Sequence, residues 1–300
     1  MFVIPSYSKM PDVNGPVKWA DLDEQVKKDF TMDDSIPIHH VYANESQFSK
    51  NPPVWQKEDI DNTLDGIKNH LPYYDLIPNM RSYHDPRTVM YLIAAIQKYS
   101  IKDKDVLVIG SLKPWLEVIC LSHNAKSVTT VDFNPPISHH PRIKTISVNE
   151  LNPDIKYDIV LSFSSLEHDG LGRYGDPMHP DGDIERMKVI ATLLNPISGL
   201  MFLGVPMGPD YMVYNIHRIY GRKRFPLLTQ DFTIMDVFHN MSLEEIYDNK
   251  HCDIIAPSHP WIILRPNNEN HNLANQISNL NGYKTHRDAI CDKELPSSIL

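Results

Sequence analysis

Short apolar runs that alternate with helical patterns between residues 105 and 205 constrain the fold of this chain more than any other feature. The runs occupy residues 106–109, 127–131, 143–147, 157–162 and 200–205. Between them, apolar residues recur on one helical face, first at Leu116, Ile119 and Cys120 and later at Ile184, Met187 and Ile190. Buried strands that are joined by helices form a parallel sheet with helices on both faces. We therefore predict an α/β fold with a doubly wound, mostly parallel sheet.

The flanking segments predict less regular structure. Residues 1–80 are rich in proline, aspartate and aromatic residues, which favours an irregular N-terminal extension or lid with short helices near residues 22–30 and 59–69. Asp85-Pro86 opens a predicted helix that ends near Tyr99, since aspartate caps helices and proline is tolerated in the first turn. Residues 210–220 predict another helix, and residues 232–238 and 261–264 predict two last strands. We expect an extension (1–80), a main domain (81–266) and a polar, partly disordered tail (267–300).

The bulk composition excludes several classes of protein. A formal net charge of −9 argues against a nucleic-acid surface. No apolar run is long enough to span a membrane, and the three cysteines show neither paired nor zinc-binding spacing. The cytoplasm is the default expectation for such a chain. Two glycosylation sequons, at Asn44 and Asn240, leave the lumen of the secretory pathway open.

A glycine and an aspartate at the ends of the first two core strands point to a nucleoside ligand. Asp132 follows Gly110 by roughly 20 residues, the spacing at which an acid in nucleotide-binding α/β folds accepts hydrogen bonds from ribose hydroxyls. Gly110 would let a ligand approach the backbone closely. The later glycines of the dinucleotide fingerprint are replaced by Ser111-Leu-Lys-Pro-Trp, which disfavours a pyrophosphate and favours a donor such as S-adenosylmethionine. The alternative is an ordinary strand–helix–strand unit in which Asp132 only ends a strand.

The order of these strands resembles that of the class I S-adenosylmethionine-dependent methyltransferases. Residues 165–177 (SLEHDGLGRYGDP) and 214–221 (YNIHRIYG) are similar to signatures of an uncharacterised nematode and bacterial family, a domain of unknown function within that superfamily. The resemblance covers roughly residues 80–265. It implies a Rossmann-like fold whose final strands form an antiparallel pair, with S-adenosylmethionine as the cofactor. Several members are similar to proteins associated with glycan biosynthesis, which implies a sugar hydroxyl as the acceptor.

The resemblance also implies which residues contact the cofactor. Gly110 and Ser111 would lie beside its methionine part, and Asp132 would hold the ribose. Phe133 would cover the adenine, with Asn149 and Glu150 near the adenine edge. Ser162 and Ser164 would line the sulfonium end. The alternatives are a core aromatic for Phe133 and a solvated loop for residues 149 and 150.

The loop after the fourth core strand contains the candidate catalytic residues. Methyl transfer to a hydroxyl requires removal of the hydroxyl proton, a task that suits histidine. His168 is the predicted base, with Glu167 or Asp169 orienting its ring. Arg173 and Asp176 crowd the same loop. The alternative is a loop held by salt bridges such as Arg173 with Asp176.

Three further expectations concern neighbouring residues. On the predicted 210–220 helix, Arg218 would grip an acid group of the acceptor and His217 would be a rival base. The loop is also a candidate site for a divalent metal, with His168, Asp176 and Asp181 as the possible metal ligands. Asp183 is more simply the N-cap of the following helix.

Two functions from different classes remain. The first is an S-adenosylmethionine-dependent O-methyltransferase that acts on a sugar or glycan hydroxyl. The second is a non-catalytic module that binds a glycan or a partner and retains the methyltransferase fold, as the reduced glycine loop would allow.

Overall fold

The computed structural model describes residues 7–8, 15–71, 76, 87–249, 254 and 257–267. Asp85 and Pro86, which open a predicted helix, lie outside the described residues, as do Cys252, Cys291 and the predicted tail beyond residue 267. Cys120 is described and is buried as a free thiol.

A seven-stranded sheet forms the centre of the main domain. Its strands, in spatial order, are β11 (Phe232–Phe238), β12 (Trp261–Pro266), β8 (Leu200–Gly204), β7 (Ile159–Phe163), β3 (Asp105–Ile109), β4 (Ser127–Asp132) and β6 (Ile143–Ser147). Strands β6, β4, β3, β7 and β8 pair in parallel, whereas β12 is antiparallel to both of its neighbours. The predicted mostly parallel sheet with a final antiparallel pair is confirmed.

Helices cover both faces of this sheet, as a doubly wound fold requires. On one face lie α2 (Lys57–Lys68), α3 (Arg87–Lys98) and α4 (Trp115–Ser122), which share a core with Val106, Val108 and Leu161. On the other face lie α5 (Gly182–Leu193), α6 (Arg224–Leu228) and α7 (Leu243–Tyr247), around Leu107, Val160 and Leu203. Because side chains alternate along a strand, each buried strand contributes to both cores.

The predicted helix at 210–220 is wrong. The segment instead forms a hairpin of β9 (Tyr211–Tyr214) and β10 (His217–Ile219), and β9 also pairs in parallel with β1 (Ile38–His40). The bulky side chains of Tyr211, Met212, Val213 and Tyr214 favour a strand. The strand β1 that completes the pairing lies far away in the sequence, so a local pattern does not reveal it.

Besides β1 and α2, other elements of the N-terminal extension also pack against the main domain. Helix α1 (Glu24–Thr31), capped by the Asp23 side chain, buries Val26 and Phe30 against Leu171, Met212 and Tyr214. Further along, β2 (Val54–Trp55) pairs with β5 (Ile137–Ser138), and the Trp55 indole N–H donates to the Leu112 carbonyl at 3.2 Å. None of the described helices combines the length and apolar character needed to cross a bilayer.

Candidate active site

A cavity of about 750 Å³ lies at the carboxyl ends of β3, β4, β7 and β8. Its size is typical of a small-molecule site. Its lining includes Gly110, Ser111, Asp132 and Phe133 from the ends of β3 and β4, Glu167 from the end of β7, and His168, Asp169, Arg173, Asp176 and His217 from the following loop and the hairpin. Residues from three of the predicted strand ends therefore meet in one place. We call the first group the donor end and the last group the acceptor end, after the roles that we propose for them.

Gly110 and Ser111 form the floor of the donor end. Gly110 has a φ of +69°, and a Cβ added there would lie 2.1 Å from the Ser165 hydroxyl oxygen, so only glycine fits. The Ser111 hydroxyl donates to the Lys113 carbonyl at 2.8 Å and lies 3.3 Å from the carboxyl of Glu117. Glu117 is fully buried behind this loop, and burial raises its pKa to about 7.

Asp132 presents a carboxylate to the donor end. Its oxygens accept from the main-chain N–H groups of Ser111 at 3.3 Å and Asn134 at 2.8 Å. Burial raises the pKa of Asp132 to about 6, so the group is mostly ionised at neutral pH. An ionised carboxylate fixed by main-chain donors retains lone pairs for ligand hydroxyls.

Apolar side chains line the wall beside Asp132, and they differ in part from those predicted. Phe133 lines the cavity as expected, but Asn149 and Glu150 are exposed and do not. Residues 148–150 form a 3₁₀ turn in which Glu150 accepts from the Ser147 main-chain N–H. That turn directs Val148 and Leu151, which flank the predicted pair, towards the cavity.

The end of β7 carries a buried acid. The Ser164 hydroxyl donates to Glu167 Oε1 at 2.8 Å, whereas Oε2 has no hydrogen-bond partner among the described residues. Burial raises the pKa of Glu167 to about 8. Ser162 was also predicted at the cavity, but it is buried and does not line it. The alternation of β7 turns Ser162 to the same side as Val160, towards the core that contains α5.

His168 is oriented by a main-chain group and not by a neighbouring acid. Its Nδ1 lies 2.5 Å from the Ile216 carbonyl, so Nδ1 carries the proton and Nε2 is bare. Glu167 Oε1 lies on the other side of the ring, 3.7 Å from Nε2, and Asp169 pairs with Arg186 at 2.9 Å. Of the two acids predicted to orient the ring, Asp169 is thus engaged by Arg186, whereas Glu167 lies beside Nε2. Burial lowers the pKa of His168 to about 3, which keeps the imidazole neutral at physiological pH.

The acidic and basic residues of the loop hold it in shape. Asp176 accepts from the main-chain N–H groups of Gly170, Gly172 and Tyr174 at 2.8 to 3.3 Å. One alternative expected a salt bridge between Arg173 and Asp176, but the two side chains do not pair. Arg173 binds Glu45 of the N-terminal extension at 2.9 Å, and the Glu45 N–H donates to the Arg173 carbonyl at 2.7 Å.

Of the two hairpin candidates, one lines the cavity and the other does not. His217 lines it, with Nε2 2.9 Å from the Ile254 carbonyl. Arg218 is buried behind the loop and donates to the carbonyls of Asp169 at 2.7 Å and Pro180 at 3.0 Å. The prediction that Arg218 grips the acceptor is corrected, since its guanidinium is used to hold the loop.

Asp183 is not the N-cap of α5. It is fully buried and pairs with Arg224 at 2.6 Å while accepting from the Tyr220 hydroxyl at 2.9 Å. Burial acts to raise the pKa of Asp183, but the nearby Arg218 and Arg224 outweigh it and hold the pKa at about 2. Asp181 occupies the cap position without a capping hydrogen bond.

No metal centre is found in the part of the chain that the structure describes. His168, Asp176 and Asp181 do not form a group of three or more ligands arranged to hold an ion. Asp181 does not line the cavity at all.

The cavity also contains residues that the sequence patterns did not single out. They come from the extension, from the first strand–helix loop, from the turn after β6 and from the segment before β12: Glu45, Lys113, Trp115, Val148, Leu151, Pro257 and His259. Val148 and Leu151 could have been found from the sequence, because they are the apolar residues on either side of the polar pair Asn149 and Glu150. Glu45 gave none, because its contact with Arg173 spans 128 residues.

Comparison with known proteins identifies a family and distant structural likenesses. Residues 103–253 match the model of a family described as "Caenorhabditis protein of unknown function, DUF268". A search of curated proteins finds no match to this sequence.

Similar solved structures include an S-adenosylmethionine-dependent methyltransferase from Clostridium acetobutylicum ATCC 824 (12% identity, TM-score 0.41, 63% of this chain and 95% of that chain). Another is the N-methyltransferase NodS from Bradyrhizobium japonicum WM9 with S-adenosyl-l-homocysteine (12% identity, TM-score 0.40, 71% and 98%). At this level of similarity they say nothing about the activity of this chain, which must be inferred from its own residues.

Proposed function

The chain belongs to this family of unknown function, and we propose that it is an S-adenosylmethionine-dependent O-methyltransferase acting on a sugar or glycan hydroxyl. The observation that carries the proposal is the meeting of Gly110, Asp132 and Glu167, from the ends of three adjacent strands, in one cavity. Ligands of open α/β sheets bind at the carboxyl ends of the strands.

The donor end fits the nucleoside and amino-acid parts of that cofactor. Gly110 leaves backbone space for the methionine part, and Asp132 offers lone pairs to the ribose hydroxyls. The rings and methyl groups of Phe133, Val148 and Leu151 suit an adenine. When bound, S-adenosylmethionine supplies an electrophilic methyl group.

The acceptor end supplies a proton acceptor. A hydroxyl oxygen becomes strongly acidic as it forms a new bond to carbon, so even a weakly basic imidazole can take its proton. His168 Nε2 is unprotonated and the ring is held in one tautomer by the Ile216 carbonyl. His168 is therefore the proposed base, and the Ile216 carbonyl positions it.

The charges and rings of the acceptor end favour a neutral, hydroxyl-rich acceptor. Glu45 and Arg173 neutralise each other, as do Asp169 and Arg186. These paired groups can exchange hydrogen bonds with hydroxyls, and the faces of Trp115 and Tyr174 suit a sugar ring. The N-terminal extension would thus help to shape the acceptor site through Glu45.

Calorimetric titration with S-adenosylhomocysteine, followed by transfer of a labelled methyl group to a panel of glycans, tests the proposal. We expect binding and transfer, and His168→Gln should reduce kcat by about 10²- to 10⁴-fold without changing the affinity for S-adenosylhomocysteine. His139→Gln, at an exposed imidazole outside the cavity, is the matched control.

Two outcomes would change the conclusion. No detectable binding of S-adenosylhomocysteine would defeat the proposal. Binding without transfer to any glycan would favour the non-catalytic binding module that retains the fold.

A further inference from the structure

Glu167 lines the cavity, and its second carboxyl oxygen is buried without a hydrogen-bond partner among the described residues. The side chain is 1% exposed, Ser164 occupies Oε1, and Oε2 has no partner among the described residues. Buried polar atoms without partners cost free energy, and in native structures they are uncommon. Because Glu167 lines the cavity, a bound ligand is the group that would supply the missing partner.

Each of the other acids of the cavity wall has an ion-pair or main-chain partner. Glu45 pairs with Arg173, and Asp169 pairs with Arg186. Asp132 and Asp176 accept from main-chain N–H groups. Among the described acids of the lining, Glu167 is thus the one with a buried carboxyl oxygen that lacks a partner.

Among the described residues, no group that faces Glu167 donates a hydrogen bond to Oε2, although the charge of Arg218 acts on the carboxyl and lowers its pKa. The His168 imidazole is neutral, and Asp169 is itself an acid. Arg218 reaches across from β10, but its Nη1 and Nη2 donate to main-chain carbonyls, including that of Glu167 at 3.3 Å. Two uncharged phenols, Tyr174 and Tyr220, complete the surroundings.

We propose that Glu167 is the counter-charge for a cationic centre of the donor, either its ammonium or its sulfonium group. The inference rests on the proposed function and adds to it the group that recognises the donor's positive charge. A carboxylate gains most from a cation where water is excluded.

Ionisation of Glu167 then accompanies binding of the donor. Burial raises the pKa of Glu167 to about 8 in the free chain, and a bound cation would lower it. At pH 7 the carboxyl is mostly protonated before binding, so binding a cationic ligand releases a proton. If the sulfonium is the partner, affinity should rise with pH up to about 8 and then level, because a sulfonium does not titrate. If the ammonium is the partner, affinity should fall again above about pH 8, where an α-amino group loses its proton.

Three ligands separate the possible sources of the charge. S-adenosylmethionine carries both cations, S-adenosylhomocysteine carries only the ammonium, and 5′-methylthioadenosine carries neither. The measurement is the affinity of each for wild type and for Glu167→Gln by calorimetry at pH 7. Glu167→Gln keeps the shape of the side chain and can still accept from Ser164.

We expect Glu167→Gln to weaken S-adenosylmethionine by about tenfold or more and to leave 5′-methylthioadenosine unchanged. An equal loss for S-adenosylhomocysteine assigns the ammonium, and a loss confined to S-adenosylmethionine assigns the sulfonium. The matched control is Glu117→Gln, a buried acid whose two oxygens already have partners, which should affect all three ligands alike.

A readout on the unaltered protein avoids reliance on the variant. Titration of wild type in buffers of different ionisation enthalpy counts the protons released, and S-adenosylmethionine should release more than 5′-methylthioadenosine. Equal release, or a Glu167→Gln effect that is absent or equal for all three ligands, overturns the inference and leaves the proposed function standing. Failure of wild type to bind any of them defeats the proposed function and this inference with it.

Discussion

The two ends of the cavity are built in different ways. At the donor end, Asp132 is held by main-chain N–H groups from the end of its own strand and from the adjacent β3. At the acceptor end, the Arg173 loop is held by side chains and main-chain groups from the extension and from the β9–β10 hairpin. The donor end is therefore set by neighbouring strands, whereas the acceptor end depends on contacts between distant segments. Substitutions in the extension or the hairpin could therefore alter the choice of acceptor without disturbing the residues of the donor end.

The buried ion pair behind the acceptor end gives the largest expected effect. Arg224→Met removes the partner of Asp183, which is fully buried and 2.6 Å away. The substitution leaves the buried carboxylate without its closest charge partner, with Arg218 Nε 3.8 Å away as the remaining cation. It should lower the free energy of unfolding by about 3 kcal/mol, measured by denaturant unfolding.

The matched change is Arg222→Met. Arg222 pairs with Glu244 and Asp248 on the surface, so its loss should leave stability almost unchanged. Equal effects of the two substitutions would mean that the loop is not held through this buried pair.

The donor end is probed by Asp132→Asn. The amide keeps the shape but loses the charge that strengthens hydrogen bonds from the ribose hydroxyls. The affinity for S-adenosylhomocysteine should fall by about 2–3 kcal/mol, measured by calorimetry. Glu150→Gln, at the exposed residue that was predicted to contact adenine, should have no effect. A loss at Glu150 with none at Asp132 would reverse the orientation proposed for the nucleoside.

The acid beneath the donor end predicts a smaller effect that depends on pH. Because burial raises the pKa of Glu117 from 4.5 to about 7, the folded chain holds this proton at a pH where the unfolded chain has lost it. Wild type therefore loses stability as pH rises between those values, and Glu117→Gln should not, since an amide does not titrate. The variant should gain roughly 1–3 kcal/mol relative to wild type across that window, as measured by unfolding at several pH values. A difference that is independent of pH would contradict the assignment.

The donor end was largely predictable from sequence because its signals are local. A glycine at the end of one strand and an acid at the end of the next predict a shared edge once the strands are parallel. The error at Asn149 and Glu150 arose within one turn, where Val148 and Leu151 face the cavity instead.

The acceptor end was less predictable because its partners are distant or belong to the main chain. The hydrogen bond from His168 reaches a carbonyl 48 residues away. Since every residue has a main-chain carbonyl, the type of residue at that position gives no signal of the contact. Strand β9 pairs with β1, which lies far away in the extension. The local sequence does not show this partner, and the pattern of residues 210–220 by itself predicts a helix. Asp183 looked like a cap because its buried partner Arg224 lies on another element.

Because β12 lies within the sheet, the part of the chain that folds as a unit extends at least to the end of β12. The segment recognised by the family model stops at residue 253, yet β12 lies between β8 and β11, both of which are inside that segment. A fragment cut at the family boundary would leave facing rows of unpaired backbone groups on two strands. Trimming the protein to the span of the family would therefore remove a strand from within its sheet. We expect the exposed edges of β8 and β11 to pair with strands of other molecules.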